Sequence, residues 1–269
     1  MRMLISGTRR GLGRRVLERM GGEAFERDTD LGAVSSNYYD VIVHCAVNSA
    51  KSIDAGNVND YIDDNILLTR TLASVPHCLF VYVSTVDLYP VSGGPYDEDF
   101  EVKGEELAGA YRVTKFAAEA YVRKHCPRHL VLRPTTLIGR DARPMSLTRL
   151  LLEAEPKLFL AADSRYNVIS HDMVVDFIEA AIATQTVGIF NIASTGYLRL
   201  ADVANWLGVA PRYGAYHYQV AKVDNARALR ILPALQRTTA DVLHEFLVNV
   251  DFFGRDVGSS RANLPEIEL

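Results

Sequence analysis

The chain has 269 residues, 48% apolar and 23% charged, with a net charge of −4, which suits one large α/β domain, or a dinucleotide domain with a small companion, and excludes long disorder. An acidic balance argues against nucleic acid, which asks for a basic patch and a high isoelectric point. Three scattered cysteines, Cys45, Cys78 and Cys126, argue against a disulfide framework, and with no leader before the first strand and no apolar run near the ~20 residues of a membrane span, no membrane partner and a cytoplasmic location are expected.

Residues 3–5 (MLI) read as a buried strand and residues 12–20 as a helix. Between them the run MLISGTRRGLG sets Gly7, Gly11 and Gly13 in a strand–turn–helix passage. Glycines are needed where a backbone turns tightly and approaches a pyrophosphate. The helix start, with Leu12 beside it, offers free N–H groups and a positive dipole end to the phosphates. A plain strand–helix turn is the simpler alternative. Arg9, Arg10, Arg14 and Arg15 cluster here, as a local anion site would require.

Residues 41–43 read as the next strand, 62–72 as a helix, 79–83 as a strand, 111–124 as an Ala-rich helix and 130–132 as a strand ended by Pro134. A helix over 174–183 and a strand over 188–190 follow. Continuous apolar strands alternating with helices predict a doubly wound parallel sheet covered on both faces. The rhythm breaks over 138–165 and beyond 197. The expected division is a dinucleotide-binding domain over 1–137, rejoined by 166–196, and a small, mainly helical substrate lobe over 138–165 and 197–269. Helices are expected in that lobe over 147–153, 200–207, 226–231 and 239–248. The final dozen residues, with Gly258, Ser259, Ser260 and Pro265, read as poorly ordered or docked late.

Tyr111 and Lys115 stand four apart, so on a helix they share a face. A phenol has an ordinary pKa near 10; a neighbouring ammonium, together with the positive charge of an oxidised nicotinamide, would stabilise its phenolate and make it a usable acid/base near neutral pH. An ordinary amphipathic helix would show the same spacing by chance. Around the pair stand FVYVSTVDLYP (80–90), VIVHCA (41–46), Asn65 in NILLTRTL, LRPTTLIG (132–139), ISHD (169–172), GIFNIA (188–193) and VDNARALRIL (223–232). These fragments, in this order and over nearly the whole chain, resemble the blocks of the extended short-chain dehydrogenase/reductase family, also called the NAD-dependent epimerase/dehydratase family.

The resemblance implies a Rossmann fold and a role at each matching position. Thr85 would hold the reacting carbonyl oxygen, Tyr111 would exchange the proton, and Lys115 would hold the nicotinamide ribose and tune Tyr111. Pro134 would line the nicotinamide, Ala46 would cover the cofactor ribose, and Asn65 would support the site. Arg10, before the second glycine, matches a residue that contacts the 2′-phosphate of NADP. Glu26 and Asp28, near the end of the second strand, instead favour the free 2′-OH of NAD. Arg165, seven residues before Asp172, and Arg212 resemble a pair that clamps a nucleotide-sugar diphosphate; exposed salt-bridging arginines are the alternative. Arg140 and Arg143 are nearby candidates without a matching motif. Asp87 reads as a sugar contact or acid/base, and Val86, unable to give a proton, disfavours 4,6-dehydration.

The expected partner is a nucleotide-sugar substrate, and the leading activity is 4-ketoreduction with NADP. A 4-epimerase retaining NAD is the alternative, and a dinucleotide sensor without turnover is a third reading. In this family a homodimer commonly forms through the Tyr-x3-Lys helix, here with Ala117, Ala118 and Ala120 on its Ala-rich face. His44, Cys45 and Trp206 read as core, His125, Cys126 and His129 as structural rather than zinc-binding, and Asp97, Glu98 and Asp99 as a solvated acidic loop.

Overall fold

The computed structural model describes residues 1–50, 53–139, 141–153 and 155–249; Arg140 and the segment with Gly258 and Pro265 lie outside the described residues. The chain opens with β1 (Met3–Ser6), α1 (Gly11–Met20), β2 (Glu23–Phe25), α2 (Leu31–Ser35) and β3 (Tyr39–His44). It continues through α3 (Val58–Ile62), a π-helical turn (Asp63–Leu67), α4 (Leu68–Ser74), β4 (His77–Val83), α5 (Ala110–His125) and β5 (His129–Pro134). Then come β6 (Thr136–Ile138), α6 (Ser146–Leu152), β7 (Arg165–Tyr166), β8 (Val168–Ser170), α7 (His171–Ala183), β9 (Gly188–Ile192) and β10 (Leu198–Arg199). Three helices follow, α8 (Leu200–Leu207), α9 (Ala226–Ile231) and α10 (Thr239–Asn249).

Six strands form one sheet in the order β2-β1-β3-β4-β5-β9, and each neighbouring pair is parallel. The apolar strands need cover on both faces, and both have it. Met3, Ile5, Val41, Val43 and Leu130 pack toward one core, shared with Val16 of α1 and Val174 and Ile178 of α7. Leu4, Ile42, Phe80 and Val131 pack toward the other, shared with Leu72 of α4 and Ala118 and Val122 of α5. The strand order reverses between β1 and β3, and ligands of such sheets bind outside the carboxyl ends of the strands at that switch.

Beyond β5 the chain adds a parallel pair, β6 with β8, and an antiparallel pair, β10 with β7. Leu147 and Leu150 of α6 and Val203 and Leu207 of α8 belong to the same apolar cluster as α7 and the sheet. The core therefore runs without a break from the sheet into the segments expected to form a second lobe.

Four expectations are revised. The helix expected over 62–72 is interrupted by the π turn, which holds Asn65; its amide both accepts from Asn48 N (2.7 Å) and donates to Asn48 O (2.9 Å). The helix expected from 174 begins at His171, because the Ser170 hydroxyl accepts from Met173 N and caps it. The acidic loop is not uniformly solvated: Glu98 is buried and accepts from Asn191 N at 2.8 Å, with Arg227 3.4 Å away. The arginine cluster is mostly spent on ion pairs, Arg9 with Glu26, Arg14 with Glu18 and Asp141, and Arg15 with Asp172. Among these arginines Arg10 lines the cavity described below.

Ala118 lies in the core of its own chain while Ala120 is exposed, so the Ala-rich face is divided between the interior and the surface. No helix among the described residues is long and apolar enough to cross a membrane.

Candidate active site

A cavity of about 1040 Å³ opens at the switch point. Pockets of roughly 300–1,000 Å³ hold single drug-sized ligands, so this one has room for a long ligand or for two. Its lining includes Gly7, Arg10, Gly11, Leu12 and Gly13 from the turn into α1, and Ala46 after β3. Thr85 and Asp87 after β4, Tyr111 and Lys115 of α5, and Pro134 ending β5 line it too. Gly7 and Pro134, 127 positions apart in sequence, thus converge because parallel strands end on one edge.

The glycine turn fits a dinucleotide. A Cβ on Gly13 would lie 2.4 Å from Gly7 O and 2.8 Å from Ser6 O, and one on Gly7 would lie 2.7 Å from Ala46 N. Gly7 and Gly11 also have positive φ, 77° and 63°, where side chains are strained. The space beside Gly11 is open, with nothing nearer than 3.8 Å to a built Cβ. α1 has ten residues and no acidic residue in its first turn, which leaves its positive end available to phosphates. Gly13→Ala is expected to weaken dinucleotide binding by at least about tenfold, because backbone oxygens rather than a mobile side chain meet the methyl group; titration of the reduced cofactor's fluorescence checks it.

Glu26 follows β2, and its carboxylate accepts from Thr8 Oγ1 at 2.5 Å and from Arg9 Nε at 2.8 Å. The hydrogen bond from Thr8 is the main reason its pKa is lowered. An ionised carboxylate therefore sits beside the glycine turn. Arg9 is turned outward to that carboxylate and is not among the cavity-lining residues, whereas the exposed Arg10 is.

Thr85 follows β4, and its hydroxyl accepts from Asp87 N (3.1 Å), fixing a 3₁₀ turn over Val86–Leu88. The same hydroxyl faces the Tyr111 phenol. The phenol is pushed up from its ordinary value, first by burial and then by the Asp87 carboxylate, while Thr85 and Arg143 act the other way. Lys115 is not among the groups that shift it. Lys115 instead donates to Val83 O at 2.6 Å, and burial brings its own pKa down to about 8. Asp87 is pushed up by burial, and the Tyr218 hydroxyl donates to its Oδ1 at 3.3 Å.

Arg143 was a candidate without a motif; the structure brings it to the centre. It lines the cavity, its charge is felt at both Tyr111 and Lys115, and it donates to Val47 O (2.7 Å) and to Ser49 Oγ. Tyr218, Phe159 and Tyr216 also line the cavity but carry no periodicity or motif to mark them. Cys45, read as core, is another cavity-lining residue, while its neighbour His44 is buried between Ser6 and Thr69. Arg165 and Arg212 are not among the lining residues: Arg165 sits in β7 paired with β10, and Arg212 is exposed beside Lys157. Among the described residues no cluster of His, Cys, Asp or Glu is arranged to hold a metal.

Below the site lies a buried ionic network. Arg133 of β5 donates through Nη2 to Glu119 Oε1 at 2.5 Å and through Nη1 to the Tyr89 hydroxyl at 2.7 Å. Ser84 Oγ, beside Thr85, donates to Glu119 Oε2 at 2.7 Å. Glu119 stands one helical turn past Lys115 on α5, so the network ties the strand and the helix that carry the site.

The family model described as NAD dependent epimerase/dehydratase family matches residues 13–193. Curated protein sequences give no match. Among solved structures, a UDP-glucuronic acid 4-epimerase from Bacillus cereus in complex with UDP-glucuronic acid and NAD aligns over 94% of this chain and 100% of its own, at 18% identity and a TM-score of 0.76. A dTDP-4-dehydrorhamnose reductase from Clostridium acetobutylicum aligns over 93% and 100%, at 19% and 0.73. One from Bacillus anthracis in complex with NADP aligns over 92% and 99%, at 18% and 0.71. At such identities the likeness shows a shared fold.

Proposed function

Because the chain belongs to the NAD-dependent epimerase/dehydratase family, we propose that it is a nicotinamide-dependent oxidoreductase of nucleoside-diphosphate sugars, reducing a 4-keto group. The observation that carries this is the meeting of Thr85, Tyr111 and Lys115 with the glycine turn in one cavity. Gly7, Gly11, Leu12 and Gly13 would hold the dinucleotide's pyrophosphate, with Ala46 over a ribose and Pro134 against the nicotinamide. The bound nicotinamide would supply the hydride.

Thr85 holds the carbonyl oxygen next to the Tyr111 phenol, and Tyr111 gives that oxygen its proton. A phenol pushed up by burial keeps its proton through neutral pH, as a proton donor in reduction must. Lys115, mostly protonated below about 8, lies close enough to hold ribose hydroxyls. Asp87, held by Tyr218, faces the same space and is placed to accept from a sugar hydroxyl. The segments after β6 and after β9, expected as the substrate lobe, would line the substrate's side of the cavity, and the exposed side of α5 with Ala120 is the proposed seat of a homodimer.

Arg10 on the cavity wall supports NADPH as the cofactor. A second reading, a 4-epimerase that retains NAD, is favoured by the ionised Glu26 beside the glycine turn, where a 2′-phosphate would be repelled. The two separate cleanly. With NADPH, Arg10→Ala raises the KM for NADPH by about tenfold or more, the scale of a lost charge-assisted hydrogen bond, and leaves NADH unchanged. If Arg10→Ala has no effect and Glu26→Ala weakens NAD binding, the epimerase reading replaces the reductase.

A further inference from the structure

We infer that His171 is a dinucleotide-phosphate contact that becomes charged only when the phosphate arrives, so that dinucleotide binding takes up a proton. The inference rests on the dinucleotide reading of the cavity and adds to it a residue outside the glycine turn.

His171 is the first residue of α7 and only 6% exposed, yet it lines the cavity together with Arg10 and Gly11. Its ring is seated between two glycines. A Cβ on Gly139 would lie 2.1 Å from His171 Nδ1, so the ring fills the space that a side chain there would need. On the other side, the atoms nearest to a Cβ built on Gly11 are Asp141 O and His171 Cε1, each at 3.8 Å. His171 is therefore the side chain beside the first residue of α1, the helix whose free N–H groups are available to phosphates. Among the described residues neither ring nitrogen has a hydrogen-bond partner.

The surroundings hold the free ring neutral. Burial is the largest influence and brings its pKa down to about 4. The Arg15 guanidinium acts in the same direction, as does the positive end of α7. Asp172 and Asp141 act the other way, but arginines already engage both. Asp172 pairs with Arg15 at 2.7 Å and Arg19 at 3.2 Å, and Asp141 with Arg14 at 3.3 Å. Neither carboxylate lines the cavity. A pyrophosphate on the glycine turn adds negative charge that no arginine of α1 has yet offset, and a nearby opposite charge favours the charged form of an imidazole. His171 then takes a proton from solvent and donates through a ring nitrogen to a phosphate oxygen, a charge-assisted hydrogen bond. Because binding raises the pKa of this group, affinity is greatest at low pH and falls as pH rises through the bound-state value.

The test is calorimetric titration of NADH, and separately of NADPH, into wild-type protein and His171→Asn, each in two buffers of different ionisation enthalpy, which counts the protons taken up. NADH lacks the 2′-phosphate, which titrates by itself, and the difference between the two proteins removes every other group. Work at about pH 6 and about pH 7 stays below the Lys115 value of about 8. Wild type is expected to take up about 0.5–1 proton more than the variant, and its Kd to rise about three- to tenfold between the two pH values while that of the variant stays within about twofold. Thermal unfolding confirms that the variant is folded; if it is not, the wild-type count with NADH decides, and a count of zero overturns the inference. Binding with equal proton counts in the two proteins overturns it alone and leaves the enzyme standing. Wild-type protein that binds neither dinucleotide overturns it together with the dinucleotide reading. A His171-dependent count without oxidoreduction of any nucleotide sugar leaves the inference standing and removes the enzyme.

Discussion

Tyr111→Phe is expected to lower turnover by about a hundred- to ten-thousand-fold, the range that a placed acid/base contributes, while dinucleotide affinity stays within about twofold. The substitution removes one oxygen from a half-buried ring, so the cavity wall survives. Thr85 keeps the bond from Asp87 N that fixes its turn. Substrate KM should move little, since the proton is given up only as the reaction proceeds. Direction matters for pH. Burial and Asp87 both favour the protonated phenol, so reduction should be flat in pH through neutrality, whereas oxidation of the alcohol, which needs the phenolate, should speed up as pH rises. Steady-state rates in both directions check this, with cofactor fluorescence as the binding control.

The largest stability effect should come from the network beneath the site. Glu119→Ala leaves the Arg133 guanidinium, 2% exposed, without its carboxylate. Breaking a buried pair by removing one partner costs about 3–5 kcal/mol, against a total stability of about 5–15 kcal/mol. A fall in Tm of roughly 10 °C follows for a chain of this size. Tyr89 keeps one hydrogen bond from Arg133, but Ser84 loses its acceptor. Replacing both members, Glu119→Leu with Arg133→Met, should cost less than Glu119→Ala alone, because no unpaired charge is then left in the core. Thermal unfolding of the three variants gives the comparison.

The sheet was legible because its strands are short apolar runs between helical periods, and the bounds of α8 and α9 followed from the same patterning. The Tyr111–Lys115 pair and the glycine turn were legible because they depend on local spacing. What stayed hidden depends on tertiary contacts. Nothing near Glu98 shows that its carboxylate will be taken inside by Asn191, 93 positions away. The arginines of α1 look like an anion site until α7 arrives with Asp172 and Asp176. Arg143 and Tyr218 reach the cavity from irregular segments whose path no periodicity encodes. Arg165 and Arg212 were marked by a resemblance in spacing, and spacing did not bring them into the cavity lining.

The most direct test follows the reduced-nicotinamide absorbance of wild-type protein and Tyr111→Phe, each saturated with dinucleotide, on mixing with UDP- and dTDP-linked 4-keto sugars and their 4-hydroxy counterparts. A site centred on Tyr111 predicts an absorbance change in the wild type with at least one of these compounds and almost none in the variant. Equal rates in the two proteins, or no change with any compound while dinucleotide is bound, would contradict it.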